Sequence, residues 1–166
     1  MGPPDGAVGE VEVIGADEQG AAPVDVQRWV DLARSVLLAE GVTSDAELSL
    51  LFVDEGTIAG LNQRFMDADG PTDVLAFPID DPRSIDPRAD VSGPAAGPLL
   101  LGDVVVCPAV AQRQAPDHGA SYDDELALLV VHGVLHVLGH DHADAGEAAR
   151  MQARERELLG RFHRRR

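Results

Sequence analysis

The chain contains no lysine, a single cysteine and no apolar run approaching the length of a membrane span. Each absence removes a class of protein. Cys107 alone leaves no partner for an internal disulfide, so the fold must be held by a core, and 166 residues with 45% hydrophobic content can supply one. A transmembrane helix would need roughly 18 or more consecutive apolar residues, so a soluble protein is expected. Met1 to Gly9 lack the basic start and apolar stretch of a secretory signal. With the unpaired cysteine, this points to the reducing cytoplasm.

Without lysine, all 13 positive charges are arginines, set against 29 carboxylates for a net charge of −16. That balance opposes a nucleic-acid partner at first sight, because affinity for phosphate comes mainly from basic side chains that displace counterions. The distribution qualifies the objection. Residues 150–166 hold seven arginines against Glu155 and Glu157, a local balance of +5, which leaves −21 for residues 1–149. Any RNA contact is therefore expected to depend on Arg161, Arg164, Arg165 and Arg166, in a basic tail over residues 161–166.

Apolar spacing divides the chain into alternating strands and helices. Val11 to Ile14 reads as a strand, and Val26, Trp29, Val30, Ala33, Val36 and Leu37 recur at helical spacing up to Gly41. Glu47 to Val53 reads as a second strand, followed by Asp54 as N-cap of a helix carrying Ile58, Leu61 and Phe65. Val74 to Ile79 and Leu99 to Cys107 read as further strands, separated by a surface loop over residues 80–98 that is rich in proline, glycine and aspartate. The second of these is apolar on both sides of Asp103, the pattern of a strand covered on two faces. Pro108 can open a short helix. Ser121 and Asp124 have the spacing of a capping box, and the helix they open is apolar on nearly every side, which places it at the centre. A last helix carries Met151, Leu158, Leu159 and the arginines. The expectation is a single domain over residues 1–166, of mixed α/β or α+β class, with a sheet packed by helices and a central histidine-bearing helix.

Four of the six histidines fall in the string from His132 to His142. His132 and His136 are four apart, so on a helix their Cβ atoms lie about 5–6 Å from each other and both imidazoles can reach one metal ion. Gly139 lets the chain turn back, and His142 can bring a third imidazole, leaving the fourth tetrahedral position open as in catalytic zinc sites. One zinc ion per chain, held by His132, His136 and His142, is the resulting expectation. His140 would qualify as a ligand only if the helix ran on past Gly139. The same spacing occurs in zinc proteases of the metzincin type, but those place a glutamate general base directly after the first histidine, and here that position is Gly133. His118 and His163 lie in polar surroundings and read as surface residues.

The segment His132-Gly133-Val134-Leu135-His136-Val137-Leu138-Gly139-His140-Asp141-His142 resembles the signature of the YbeY family. Two further segments agree with it: Leu61-Asn62 leading to Pro71-Thr72-Asp73-Val74-Leu75-Ala76-Phe77-Pro78, and Leu101-Gly102-Asp103-Val104-Val105-Val106. The resemblance covers most of residues 48–142. It implies a single mixed α/β domain, a three-histidine zinc site and a single-strand-specific endoribonuclease acting in small-subunit rRNA maturation and ribosome quality control. RNA and ribosome-associated proteins are the implied partners. In one place the chain departs from the family: members commonly carry an arginine after the aromatic residue of the second motif, whereas Phe65 is followed by Met66. Arg64 is the nearest substitute for a phosphate contact.

Zinc chemistry would require no serine or cysteine nucleophile. The proton acceptor is unassigned: Asp141 is closest in sequence, and support of a ligand imidazole is an equal role for it. Asp103 either faces the site or sits at a bulge, and Thr72 is expected near the metal with it. A competing reading is a ribosome-assembly factor in which zinc only holds the fold. Met66 and the acidic surface favour that reading; an open coordination position opposes it.

Overall fold

Residues 10–43, 45–80, 98–140 and 144–163 are described in a computed structural model of the chain. Strand β1 (Val11–Asp17) leads to helix α1 (Val26–Ala39), β2 (Ala46–Phe52), α2 (Glu55–Met66), β3 (Val74–Pro78) and β4 (Leu99–Val106). Then come α3 (Pro108–Gln114), a 3-10 turn (Pro116–His118), α4 (Tyr122–Val137) and α5 (Ala145–Phe162). The four strands form one sheet in the order β1-β2-β4-β3, in which β1, β2 and β4 are parallel and β3 runs antiparallel to β4.

Alternation along the strands sends two sets of side chains to two faces, because successive Cβ atoms point to opposite sides. Leu48, Leu50 and Phe52 of β2, with Val104 and Val106 of β4, join the main core beneath α1 and α4. Val105 and Cys107 join Val53, Leu75 and Ile58 in a smaller core under α2. Burial on both faces explains the uninterrupted apolar run around residue 103. Helix α4 is enclosed by the sheet, α1 and α5, which accounts for an apolar surface that covers nearly its whole circumference. No helix among the described residues is long and apolar enough to cross a membrane.

Local signals set the helix starts. Asp54 accepts from the Thr57 amide at 2.8 Å, Ser121 from the Asp124 amide at 3.0 Å and Asp144 from the Glu147 amide at 2.7 Å. Gly139 adopts φ 99° after α4, and the His140 amide returns to the Leu135 carbonyl at 3.0 Å, a glycine-terminated helix end. Strand β1 extends three residues past Ile14, through Gly15, Ala16 and Asp17, because these pair with Leu50, Leu51 and Phe52 of β2. That extension comes from the partner strand, which residue preference does not register.

Two glycines bring backbones close. At Gly133, an added Cβ would lie 2.5 Å from a methyl of Val104, so the glycine lets α4 rest directly on β4. At Gly102, φ is 146° and an added Cβ would strike the Phe77 carbonyl of the neighbouring strand. Here the β2–β4 register shifts: Glu47 pairs with Leu100 and Leu48 with Gly102, leaving Leu101 as the extra residue of a bulge. Gly102→Ala is expected to destabilise the fold by about 2–4 kcal/mol through backbone strain and the forced contact, whereas Gly20→Ala, at a position open to solvent, is neutral or slightly stabilising. Chemical denaturation of the two variants measures both.

Candidate metal centre

Helix α4 presents His132 and His136 one turn apart, half-buried, with ring centroids 4.6 Å apart and planes inclined by 67°. The surrounding helix residues are fixed in the core, so neither imidazole depends on a loop for its position. From α5, the buried carboxylate of Glu155 approaches His132 Nδ1 at 3.2 Å. An ionised carboxylate at Nδ1 accepts the ring proton there and leaves the Nε2 lone pair for another partner, the usual orientation of a metal-ligating histidine. The donor set therefore fits a borderline-soft divalent cation such as zinc.

His142 and Asp141 lie outside the described residues, and among those described no group of three candidate ligands converges. His140, the alternative third ligand, stands 3.5 Å from Glu40 Oε2 at the end of α1. Arg154 Nε also holds Glu40, and its guanidinium reaches the Ala39 carbonyl and Glu157, so α5 ties the end of α1 to the turn that follows α4.

The other expected site residues have contacts of their own. Asp103 pairs with Ser49 and Phe77, and alternation with Val104 puts it on the face covered by α2, away from the imidazoles. The bulge at Leu101 and Gly102 ends immediately before it, and Asp103 itself is in regular register with both neighbouring strands. Thr72 bonds weakly to Asp73 at 3.4 Å, and the Asp73 carboxylate accepts from the Val74 amide and from Gln114, both at 2.8 Å. These bonds turn the chain into β3 and bind it to α3. Asn62 is likewise structural, buried and donating to the Gly70 carbonyl at 3.1 Å. Arg64 sits on α2, with its guanidinium 5.4 Å from the Phe65 ring. Arg161 lies in the last turn of α5 over Phe162, and Arg164, Arg165 and Arg166 fall outside the described residues.

The expectation that His163 is a surface residue is overturned. Its side chain is 5% exposed, packed against Trp29 with ring centroids 6.1 Å apart and bonded through Nε2 to Asp124 at 2.7 Å. It pins the end of α5 to α1 and α4. His118 is exposed as expected, but its Nδ1 meets the fully buried carboxylate of Glu125 at 2.8 Å, and Gln114 donates to the same carboxylate at 3.2 Å. The sequence reading missed Glu155, although a signal was present: Met151, Glu155 and Leu158 share one buried stripe of α5, and a carboxylate on such a stripe needs a partner.

An α/β domain whose central helix carries two adjoining imidazoles, one backed by a buried carboxylate, has the framework of a metal-dependent hydrolase. Comparisons with known proteins narrow the class. Residues 15–163 match the family profile described as Endoribonuclease YbeY. The Endoribonuclease YbeY of Acidothermus cellulolyticus is 51% identical over 146 residues, covering 87% of each chain. That of Salinispora tropica is 49% identical over 144 residues, covering 87% of this chain and 91% of its own. The chain belongs to the YbeY endoribonuclease family. The solution structure of TM1509 from Thermotoga maritima shares the fold, with a TM-score of 0.54 and 23% identity over 92% of this chain and 91% of that one.

The Glu125 hydrogen bond, followed by its charge, raises the His118 pKa above the ordinary 6.5. The raised value makes this contact stabilising below the unfolded pKa, and the contribution is lost as pH rises through the folded one. In Glu125→Gln the His118 titration followed by NMR should move back toward 6.5, and the stability difference from wild type should shrink as pH rises.

Proposed function

We propose that the chain is a zinc-dependent endoribonuclease that cuts single-stranded RNA during small-subunit rRNA maturation, in the cytoplasm, and contributes to ribosome quality control. The observation that carries this reading is the His132–His136 pair on one rigid helix with Glu155 behind His132. His142 completes the ligand set. Bound zinc supplies Lewis acidity toward a phosphoryl oxygen and an activated water, which removes the need for a nucleophilic side chain.

The residues of the chain have their own tasks. Glu155 holds His132 in one orientation and keeps the proton on Nδ1, so Nε2 remains a donor of electrons. Core residues flanking both histidines, among them Val131 and Leu135, exclude water from the buried side of the helix. Asp141 remains the candidate for proton transfer or for support of a ligand. Arg64, Arg161, Arg164, Arg165 and Arg166 are the candidate phosphate contacts, with partners on the ribosome adding protein contacts. A non-catalytic assembly factor is the second reading, favoured by Met66 in the place of the family's usual arginine.

Purified protein should carry one zinc per chain; His132→Ala, His136→Ala and His142→Ala should lose it, and His118→Ala should keep it. Glu155→Gln should weaken zinc affinity by about 10–100-fold. Metal analysis and competition with a chelator read both. Zinc-loaded protein should cut a single-stranded rRNA fragment that His136→Ala leaves intact. A zinc-loaded wild type that binds but never cuts would establish the assembly-factor reading instead.

A further inference from the structure

A groove of about 660 Å³ runs along α4 between α5 and the 3-10 turn. It reaches His132 and Glu155 at one end and His118 with Glu125 at the other. Its volume falls within the roughly 300–1,000 Å³ usual for sites that hold small organic groups. Half-buried Leu128 and Leu159 give it apolar walls, and the Gln152 amide offers both a donor and an acceptor. Flat apolar walls beside a bidentate amide suit the face and edge of an unstacked base.

Charge separates this groove from the rest of an acidic molecule. Each of its three carboxylates is hydrogen-bonded to an imidazole: Asp124 to His163 at 2.7 Å, Glu125 to His118 at 2.8 Å and Glu155 to His132 at 3.2 Å. Arg156, exposed on α5, lines the same space and has no ion-pair partner among the described residues. On a chain of net charge −16, a polyanion is better received where the carboxylates are engaged in hydrogen bonds and a guanidinium is available.

We propose that this groove holds one unpaired nucleotide of single-stranded RNA next to the imidazole pair, with its base against Leu128 and Leu159 and a phosphate toward Arg156. The inference rests on the ribonuclease reading for the identity of the ligand. It assigns to α5 the phosphate contact that Met66 cannot make from α2.

Gly160 provides the test. It lines the groove, and a Cβ placed there meets nothing within 4 Å, so Gly160→Trp puts a ring into the groove without a clash at its root. Binding of a short fluorescent single-stranded RNA to the zinc-loaded protein is followed by anisotropy across a salt series, and cleavage of the same RNA on gels. Gly160→Trp should weaken binding by roughly tenfold or more, the scale of one lost base contact. Arg156→Gln should weaken it and lower the salt slope by about 0.7, one phosphate on a single strand. Unchanged melting temperature and zinc content show that each variant is folded, and Arg156→Gln, at an exposed position, serves if the tryptophan does not fold. Wild-type affinity and slope in both variants would overturn the groove. RNA that binds through the groove but is never cut would overturn the nuclease reading and leave the groove standing.

Discussion

The close approach of α4 to the sheet is the constraint on which the other features depend. Gly133 allows it: with no side chain at that position, the helix backbone rests on Val104 and Val74. The same glycine sits between the two histidines, so the residue that sets the depth of the helix also sets the depth of the imidazoles. Pressed onto the sheet and covered by α1 and α5, α4 has only a narrow strip for polar groups, and both histidines emerge there half-buried. A glutamate in place of Gly133, as a protease of similar spacing would require, has no room beneath this helix. The packing thus excludes that chemistry independently of the sequence comparison.

Polar groups buried by this packing follow one pattern. Histidine from one element meets a carboxylate from another: His118 with Glu125, His132 with Glu155, His163 with Asp124 and His140 with Glu40. A buried carboxylate without such a partner would cost several kcal/mol. Among the described residues no buried side-chain nitrogen or oxygen lacks a hydrogen-bond partner. In a chain without lysine, imidazole takes the place that ammonium groups often fill. Three of these pairs join α4 or its following turn to a different helix, so they also fix the relative positions of the helices.

Helix α5 has a larger part than its exposed, arginine-rich sequence suggests. Met151 and Leu158 bury it against the core, Glu155 aims His132, and Arg154 grips Glu40 next to His140. A helix that packs only by one stripe can nevertheless present a carboxylate, a guanidinium and a groove wall on adjacent turns, because residues three and four apart share a face.

Periodicity and capping determined most of the secondary structure. The starts of α2 and α4 at Asp54 and Ser121, the stop at Gly139 and the two-sided burial of β4 follow from local backbone preferences and from side-chain alternation, which act within a few residues. The helical pairing of His132 with His136 was legible for the same reason, since four residues make about one turn. Contacts between distant parts of the chain were not legible. Asp103 lies on the α2 face because a bulge at Leu101 and Gly102 sets its register, and register is decided by the partner strand. His163 is buried because Trp29 and Asp124, remote in sequence, close around it. Glu155 stands behind His132 because two helices cross at that point. Local sequence fixes the direction in which a side chain leaves its own element, but the group it meets there is set by the packing of elements far apart in the chain.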